Sequence, residues 1–268
     1  MEFEDCLKLE NLSEQSIKTY MYGFNRLSKL LKNSIYLTNS KIIITTITEL
    51  DAPLNTKKLM LVSAIKVFNV YELSTTLLIK YLDKLKAEIT IDTDAKLHAL
   101  VLPSLNDIVQ HSKQQFKNGN WVSFIITYLL INYNFRNKDL LITITKNKND
   151  IDDKSKNWIY ITSTYIRIYI NNYKTASIYG TKSIVLKSVK IITALNNYLN
   201  DELSKPLIPL DIGTNLGKFV MSNTYNNMGE TIYFKIIVKS LATQGKVKKL
   251  ATAGKYRGTN LDTIVSSY

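Results

Sequence analysis

The sequence predicts a mainly α protein with a small antiparallel β-sheet, and three observations carry that expectation. Apolar residues return at helical spacing over long stretches, as in Ile17, Tyr20, Met21, Phe24, Leu27, Leu30 and Leu31. One region, between Trp158 and Leu186, instead alternates or runs β-branched and aromatic in the manner of strands. At 268 residues and 45% hydrophobic composition, the chain holds enough apolar material for one large domain or two ordinary ones.

Taken in order, Ser13 is placed to cap a helix from about Glu14 to Lys32. Pro53, with Asn55 or Thr56, opens a second amphipathic segment from Lys57 to Val70. Ser74 or Thr75 opens a third through Leu77, Leu78, Tyr81, Leu82 and Leu85. Residues 1–90 thus read as a small helical domain. The polar stretch that follows, closed by Pro103, reads as a linker over 91–103, which leaves 104–268 as a second domain. There Leu105 to Gln115 and Trp121 to Ile131 read as helices, the latter apolar nearly all round and therefore buried. Asn147 to Asn157 is a charged turn. The strands are expected from Trp158, from Tyr165 to Ile170, and from Thr181 to Leu186, after a tip at Tyr179-Gly180. Lys190 to Leu199 is helical, Pro206 and Pro209 interrupt, and two or three helices fill the rest.

Composition excludes several classes. The single Cys6 closes no internal disulfide, and His98 and His111 are too few for a zinc cluster or for the usual serine triads. No apolar run reaches bilayer-spanning length, and the acidic start lacks a secretory n-region, so an intracellular, non-secreted protein without a membrane partner is expected. The formal charge is +13. Residues 1–90 carry 12 basic and 10 acidic side chains, which leaves 23 and 12 for the remainder. A basic second domain points to a polyanionic partner. The densest cluster is Lys235, Lys239, Lys246, Lys248, Lys249, Lys255 and Arg257, in a stretch from Thr231 to Asn260 with no acid at all. Lys57, Lys58 and Lys66 make a weaker stripe in the first domain.

The densest local signal is Tyr133-Asn-Phe-Arg-Asn-Lys-Asp139, where a buried helix delivers Arg136, one of only four arginines, beside Asp139. Tyr173-Lys174-Thr175 follows on an expected hairpin, and Arg257-Gly-Thr precedes Tyr268. This ordered set resembles the catalytic domain of the tyrosine recombinases, the phage-type integrases. Leu12-Ser-Glu-Gln-Ser-Ile-Lys-Thr-Tyr20 and Asn55-Thr-Lys-Lys58 are similar to the core-binding half of their DNA clamp.

The resemblance implies a site-specific recombinase that cuts duplex DNA through a 3′-phosphotyrosyl intermediate and rejoins it, self-associated on DNA, without metal, ATP or other cofactor. It implies Arg136 as a phosphate clamp, since a guanidinium holds two phosphate oxygens at once. Asp139 is the implied buttress one turn away. Lys174 is the implied proton donor, with Lys182 on the return strand as its competitor. The family's His-x-x-Arg is missing from Thr231 to Lys239: Lys235 is the nearest counterpart of the arginine, and Lys255 or Arg257 stands where a further histidine is usual, Arg257 also being able to serve as a displaced second arginine. Tyr268 is the implied nucleophile and Tyr256 its rival. The DNA-binding set is Lys57, Lys58, Lys239, Lys246, Lys248, Lys249 and Lys255. The missing motif keeps two alternatives open, a cleavage-defective DNA-binding protein of recombinase descent and a type IB topoisomerase. The Lys, Asn, Ile and Tyr bias suits a virus or mobile element with AT-rich DNA.

Overall fold

A computed structural model describes residues 3–10, 12–32, 39–99, 101–173, 176, 180–209 and 215–257, the side chains of 94, 96–99 and 255–257 excepted. The chain divides into two compact units, Met1–Val101 and Leu102–Tyr268.

The first unit is helical: α1 (Phe3–Leu9), α2 (Glu14–Leu31), α3 (Ser40–Glu49), α4 (Leu54–Val70) and α5 (Thr76–Ala99). Ser13 caps α2 by accepting the Ser16 N–H at 3.2 Å, and Asn39 caps α3 through Lys41 and Ile42. The apolar faces of α2 to α5 meet in a core around Leu27, Ile43, Ile47, Met60, Leu61 and Leu78. Gly23 lets α2 approach α4 closely: a Cβ there would stand 2.9 Å from the Leu59 carbonyl oxygen. The expected linker is helical in its first part, because α5 runs without a break to Ala99.

The second unit begins with α6 (Leu105–Lys117) and α7 (Trp121–Tyr133), then a 3₁₀ turn (Asn137–Leu140). Strands β1 (Ile142–Thr145), β2 (Asn157–Ile161), β3 (Ile166–Ile170) and β4 (Lys182–Leu186) follow, with a second 3₁₀ turn, Lys148–Asp152, between β1 and β2. After α8 (Val189–Leu199) and β5 (Ser204–Pro206) come α9 (Leu216–Ser222), a 3₁₀ turn (Tyr225–Asn227), α10 (Glu230–Thr243) and α11 (Val247–Arg257).

The sheet corrects the expectation of a purely antiparallel one. Its order is β4-β3-β2-β1-β5, and it is mixed: β1 and β2 run parallel, and the other three pairings are antiparallel. The stretch 146–156, with its 3₁₀ turn, carries the chain back to the same end of the sheet, which a tight hairpin does not do. Pro206 pairs with Thr143 on the outer strand, where a residue without an N–H is tolerated.

One sheet face is the core. Ile142, Ile144, Ile159, Ile161, Ile166, Ile168 and Ile170 pack with α7 through Ile125, Leu129 and Leu130 and with α8 through Ile191, Ala194 and Leu195. Burying each such side chain contributes about 1.5–3 kcal/mol. Helix α7 is buried over most of its surface, in keeping with its apolar sequence. It ends at Asn134, in the left-handed region at φ 52. That reversal throws the chain into the turn that carries Arg136.

Candidate functional site

Arg136 leaves α7 in extended backbone, at φ −83 and ψ 161, and heads the 3₁₀ turn. Its N–H donates to Asp139 Oδ2 at 2.9 Å, and the Asp139 N–H donates back to the Arg136 carbonyl, also at 2.9 Å. The Asp139 carboxylate thus closes, through the backbone, the turn that carries Arg136. Asp139 is only 7% exposed, and its Oδ1 has no hydrogen-bond partner among the described residues.

Two further charged groups reach this turn from distant parts of the chain. Glu230, the first residue of α10, accepts the Asn137 N–H at 3.1 Å and so ties the helix start to the turn. Lys182, the first residue of β4, lies near enough to interact with both Asp139 and Arg136. Its ammonium sits 4.0 Å from the centroid of the Tyr173 ring. Tyr173 is itself fixed, its hydroxyl donating to the Gly180 carbonyl at 2.8 Å.

The electrostatics follow from burial. Removal from water pushes the Asp139 carboxyl above its usual range, against the opposing pull of the Arg136 N–H and the charges of Arg136 and Lys182. Burial likewise lowers Lys182, with Arg136 adding in the same direction and Asp139 opposing. A lysine lowered in this way gives up its proton more readily than a solvated one. Tyr198 and Tyr233 are pushed up by burial and serve the fold: Tyr198 donates to the Pro206 carbonyl at 2.6 Å, and the Tyr233 hydroxyl accepts the Tyr225 N–H at 2.8 Å.

Of the residues singled out in the sequence, Arg136 and Asp139 stand together, and Lys182, the competitor, joins them. Lys174 and Tyr268 lie outside the described residues, as do the side chains of Lys255, Tyr256 and Arg257. Lys235 is half-buried on α10, between Phe234 and Ile236 of the core-facing stretch. Lys239, Lys246, Lys248 and Lys249 are exposed where α10 turns into α11. In the first unit Lys57 donates to the Thr48 carbonyl at 3.0 Å, which joins α4 to α3. Lys58 is half-buried on α4, and Lys66 pairs with Glu10.

Sequence reasoning missed Glu230. An acid in the first turn of a helix normally complements the helix dipole, and its reach to Asn137 has no local signal.

Compared with known proteins, the chain matches no family profile, no curated protein and no solved structure. The geometry therefore stands by itself. A clamp-type cation, a lysine lowered by burial and two carboxylates that fix the turn form a site suited to an anionic substrate and to proton transfer onto a leaving oxygen. Among the described residues, no group of three His, Cys, Asp or Glu side chains is placed to hold a metal ion, and no helix is long and apolar enough to cross a membrane.

Proposed function

We propose that this protein cuts and rejoins duplex DNA in the manner of the tyrosine recombinases, and the observation that carries the proposal is the convergence of Arg136, Asp139, Lys182 and Glu230 on one turn. Residues 136, 182 and 230 are far apart in sequence, and a structural ion pair on a surface needs no such gathering. In this scheme the guanidinium of Arg136 holds the non-bridging oxygens of the scissile phosphate as charge develops there. A tyrosine phenolate, for which Tyr268 is the proposed source, attacks phosphorus while the bond to the 5′-oxygen breaks. Lys182 gives its proton to that oxygen. Lys239, Lys246, Lys248 and Lys249 supply backbone contacts that position the duplex without reading its sequence. The first unit takes the place of the clamp domain. Self-association on DNA, and an origin in a virus or mobile element, belong to the same proposal.

A second reading is favoured by one feature of α10. Its mid-helix cation is Lys235, and it carries neither imidazole nor guanidinium. A lysine keeps the charge and loses the bidentate grip, which favours a DNA-binding protein of the same descent with cleavage weakened or lost.

Denaturing capture of protein-DNA adducts from a fragmented library, with Tyr268→Phe in parallel, separates the two. Adducts that require Tyr268 and gather at one sequence support the recombinase. Adducts spread over many sequences point to topoisomerase-like relaxation. Salt-sensitive binding with no adduct sinks the enzymatic proposal and leaves the binding protein.

A further inference from the structure

The sheet has a second face, opposite the isoleucines, and most of it lies outside the main core cluster. Strand alternation puts Trp158 and Tyr160 of β2, Arg167 and Tyr169 of β3 and Val185 of β4 opposite the isoleucines. Register brings them side by side: Trp158 faces Tyr169, Tyr160 faces Arg167, and Arg167 faces Val185. Trp158 is buried, at 5% exposure, and its indole N–H donates to the Asp153 carbonyl at 2.7 Å, whereas the rings of Tyr160, Tyr165 and Tyr169 are only partly buried and lie outside the main core cluster. Val185 is 49% exposed, and Tyr160, Arg167 and Tyr169 are partly buried. Three partly exposed tyrosine rings beside a buried tryptophan are more than a solvated sheet face requires.

Three of these rings have their own cation. Lys154 lies 5.7 Å from the Tyr169 centroid, Lys156 lies 5.9 Å from that of Trp158, and Arg167 lies 5.7 Å from that of Tyr165. The neighbouring carboxylates are engaged by their own loop. Asp150 accepts from Thr145 Oγ1 and Asn147 Nδ2. Asp153 accepts from Ser155 and pairs with Lys156. At one end of this face a cleft of about 640 Å³ opens, lined by Lys138, Thr143, Lys156, Trp158, Asn172 and Pro206 among others. That volume lies in the range of sites that hold a compact organic ligand.

We propose that the open face of the sheet binds single-stranded nucleic acid, with bases stacked on Tyr160, Tyr165 and Tyr169, phosphates met by Lys154, Lys156 and Arg167, and one end of the strand entering the cleft beside Trp158. A ring with a cation beside it is the pair of groups that one nucleotide presents a use for, a flat base and an adjacent phosphate. A duplex keeps its base faces inside the stack and offers nothing to such rings, whereas an unpaired strand splays them. The proposal is independent of strand cleavage, since none of these residues belongs to the Arg136 turn except Lys138 at the cleft.

The test is fluorescence anisotropy of the full chain with labelled 15-mers: oligothymidylate, oligouridylate, an abasic strand of equal length and a duplex. Oligothymidylate or oligouridylate, or both, should bind more tightly than the abasic strand, and the comparison shows whether the 2′-hydroxyl matters. Tyr160→Leu and Tyr169→Leu, which keep apolar bulk on the strand, should each weaken single-strand binding about tenfold. Tyr169→Phe, which keeps the ring, should bind as the parent does, and duplex affinity should not move in any of the three. Equal affinity for the abasic strand, or single-strand binding indifferent to both leucine variants, overturns the proposal. Circular dichroism of each variant confirms that the fold is retained, and should the leucine variants fail to fold, Arg167→Gln is read in their place, with an unchanged affinity counting against the proposal.

Discussion

The ammonium of Lys182 rests 4.0 Å from the centroid of the Tyr173 ring, and the Tyr173 hydroxyl is pinned to the Gly180 carbonyl across the 174–179 segment. The ring acts as a floor that keeps the lysine at the start of β4 and partly out of water. A cation so placed gains from the ring face while losing hydration. The lowered pKa of Lys182 thus follows from where the sheet puts it.

A proton-donor role for Lys182 has a pH signature. As pH rises through its folded pKa, which lies below 10.5, the donor form is lost and DNA cleavage should slow. Lys182→Arg should remove that limb, because a guanidinium stays protonated. Lys182→Ala should cost on the order of 10²–10⁴ in single-turnover cleavage. A substrate with sulfur in place of the bridging 5′-oxygen leaves without needing a proton and should restore most of that loss. Rescue of Lys174→Ala in place of Lys182→Ala assigns the role to the other lysine.

For Arg136, the expected split is between chemistry and binding. Arg136→Ala should lower cleavage by about 10²–10³, the usual cost of losing one donor to a developing phosphate charge, and should change duplex affinity little. Equal losses in both, measured by single-turnover kinetics and equilibrium binding, reduce the residue to one backbone contact among many.

Asp139 gives a prediction about stability. Its folded pKa is raised above the unfolded value near 3.8, so the folded state binds the extra proton. The associated stabilisation is complete below the unfolded pKa and disappears as pH rises through the folded one. Asp139→Asn keeps an oxygen for the Arg136 N–H and carries no charge to desolvate. The stability of the Asn variant relative to the parent should therefore improve as pH rises from 4 to 7, by about 1.4 kcal/mol per unit of displacement. Asp139→Ala leaves the Arg136 N–H without its acceptor and should cost about 1–3 kcal/mol. Thermal unfolding at several pH values measures both, and a difference that does not vary with pH refutes the assignment.

The exposed lysines at the turn from α10 to α11 bear on affinity. Replacing Lys246, Lys248 and Lys249 together with Gln should weaken duplex binding for all sequences alike. If each meets a phosphate, the slope of log affinity against log salt should become shallower by about 2.7, roughly 0.9 per contact. An unchanged slope removes this patch from the interface.

What the sequence disclosed depended on how local the signal was. The pairing of Arg136 with Asp139 was legible because i and i+3 share a turn whatever surrounds them. Lys182 was visible in the sequence only as a competitor to Lys174, since its proximity to Asp139 and Arg136 comes from the placement of β4 and has no local signal. Glu230 was invisible because its partner is the backbone N–H of Asn137, reached by tertiary folding alone. In the fold, α2 and α4 follow their apolar periodicity, and α7 is buried nearly all round as its continuous apolar run implies. Helix α3 is built of Lys41-Ile-Ile-Ile-Thr-Thr-Ile-Thr48, β-branched residues that favour strands locally and turn helical only where Ile43 and Ile47 find the core of the first unit. Strand β5 contains Pro206 and is only three residues long, so nothing local marks it, and the parallel pairing of β1 with β2 depends on a crossover that periodicity does not encode.

Gly23 tests that first unit directly. A Cβ on this residue would sit 2.9 Å from the Leu59 carbonyl oxygen, which is backbone of α4 and cannot swing aside. Helix propensity alone favours Ala over Gly by about 1 kcal/mol, so a freely exposed position would gain from Gly23→Ala. Here the close approach of α2 to α4 dominates, and overpacking should leave the variant less stable by about 1–3 kcal/mol. Denaturant unfolding of the full chain, followed by a probe in α2, reads the sign. A stabilised variant means that the two helices stand further apart than this packing requires, and the core around Leu27 and Met60 must then be looser as well.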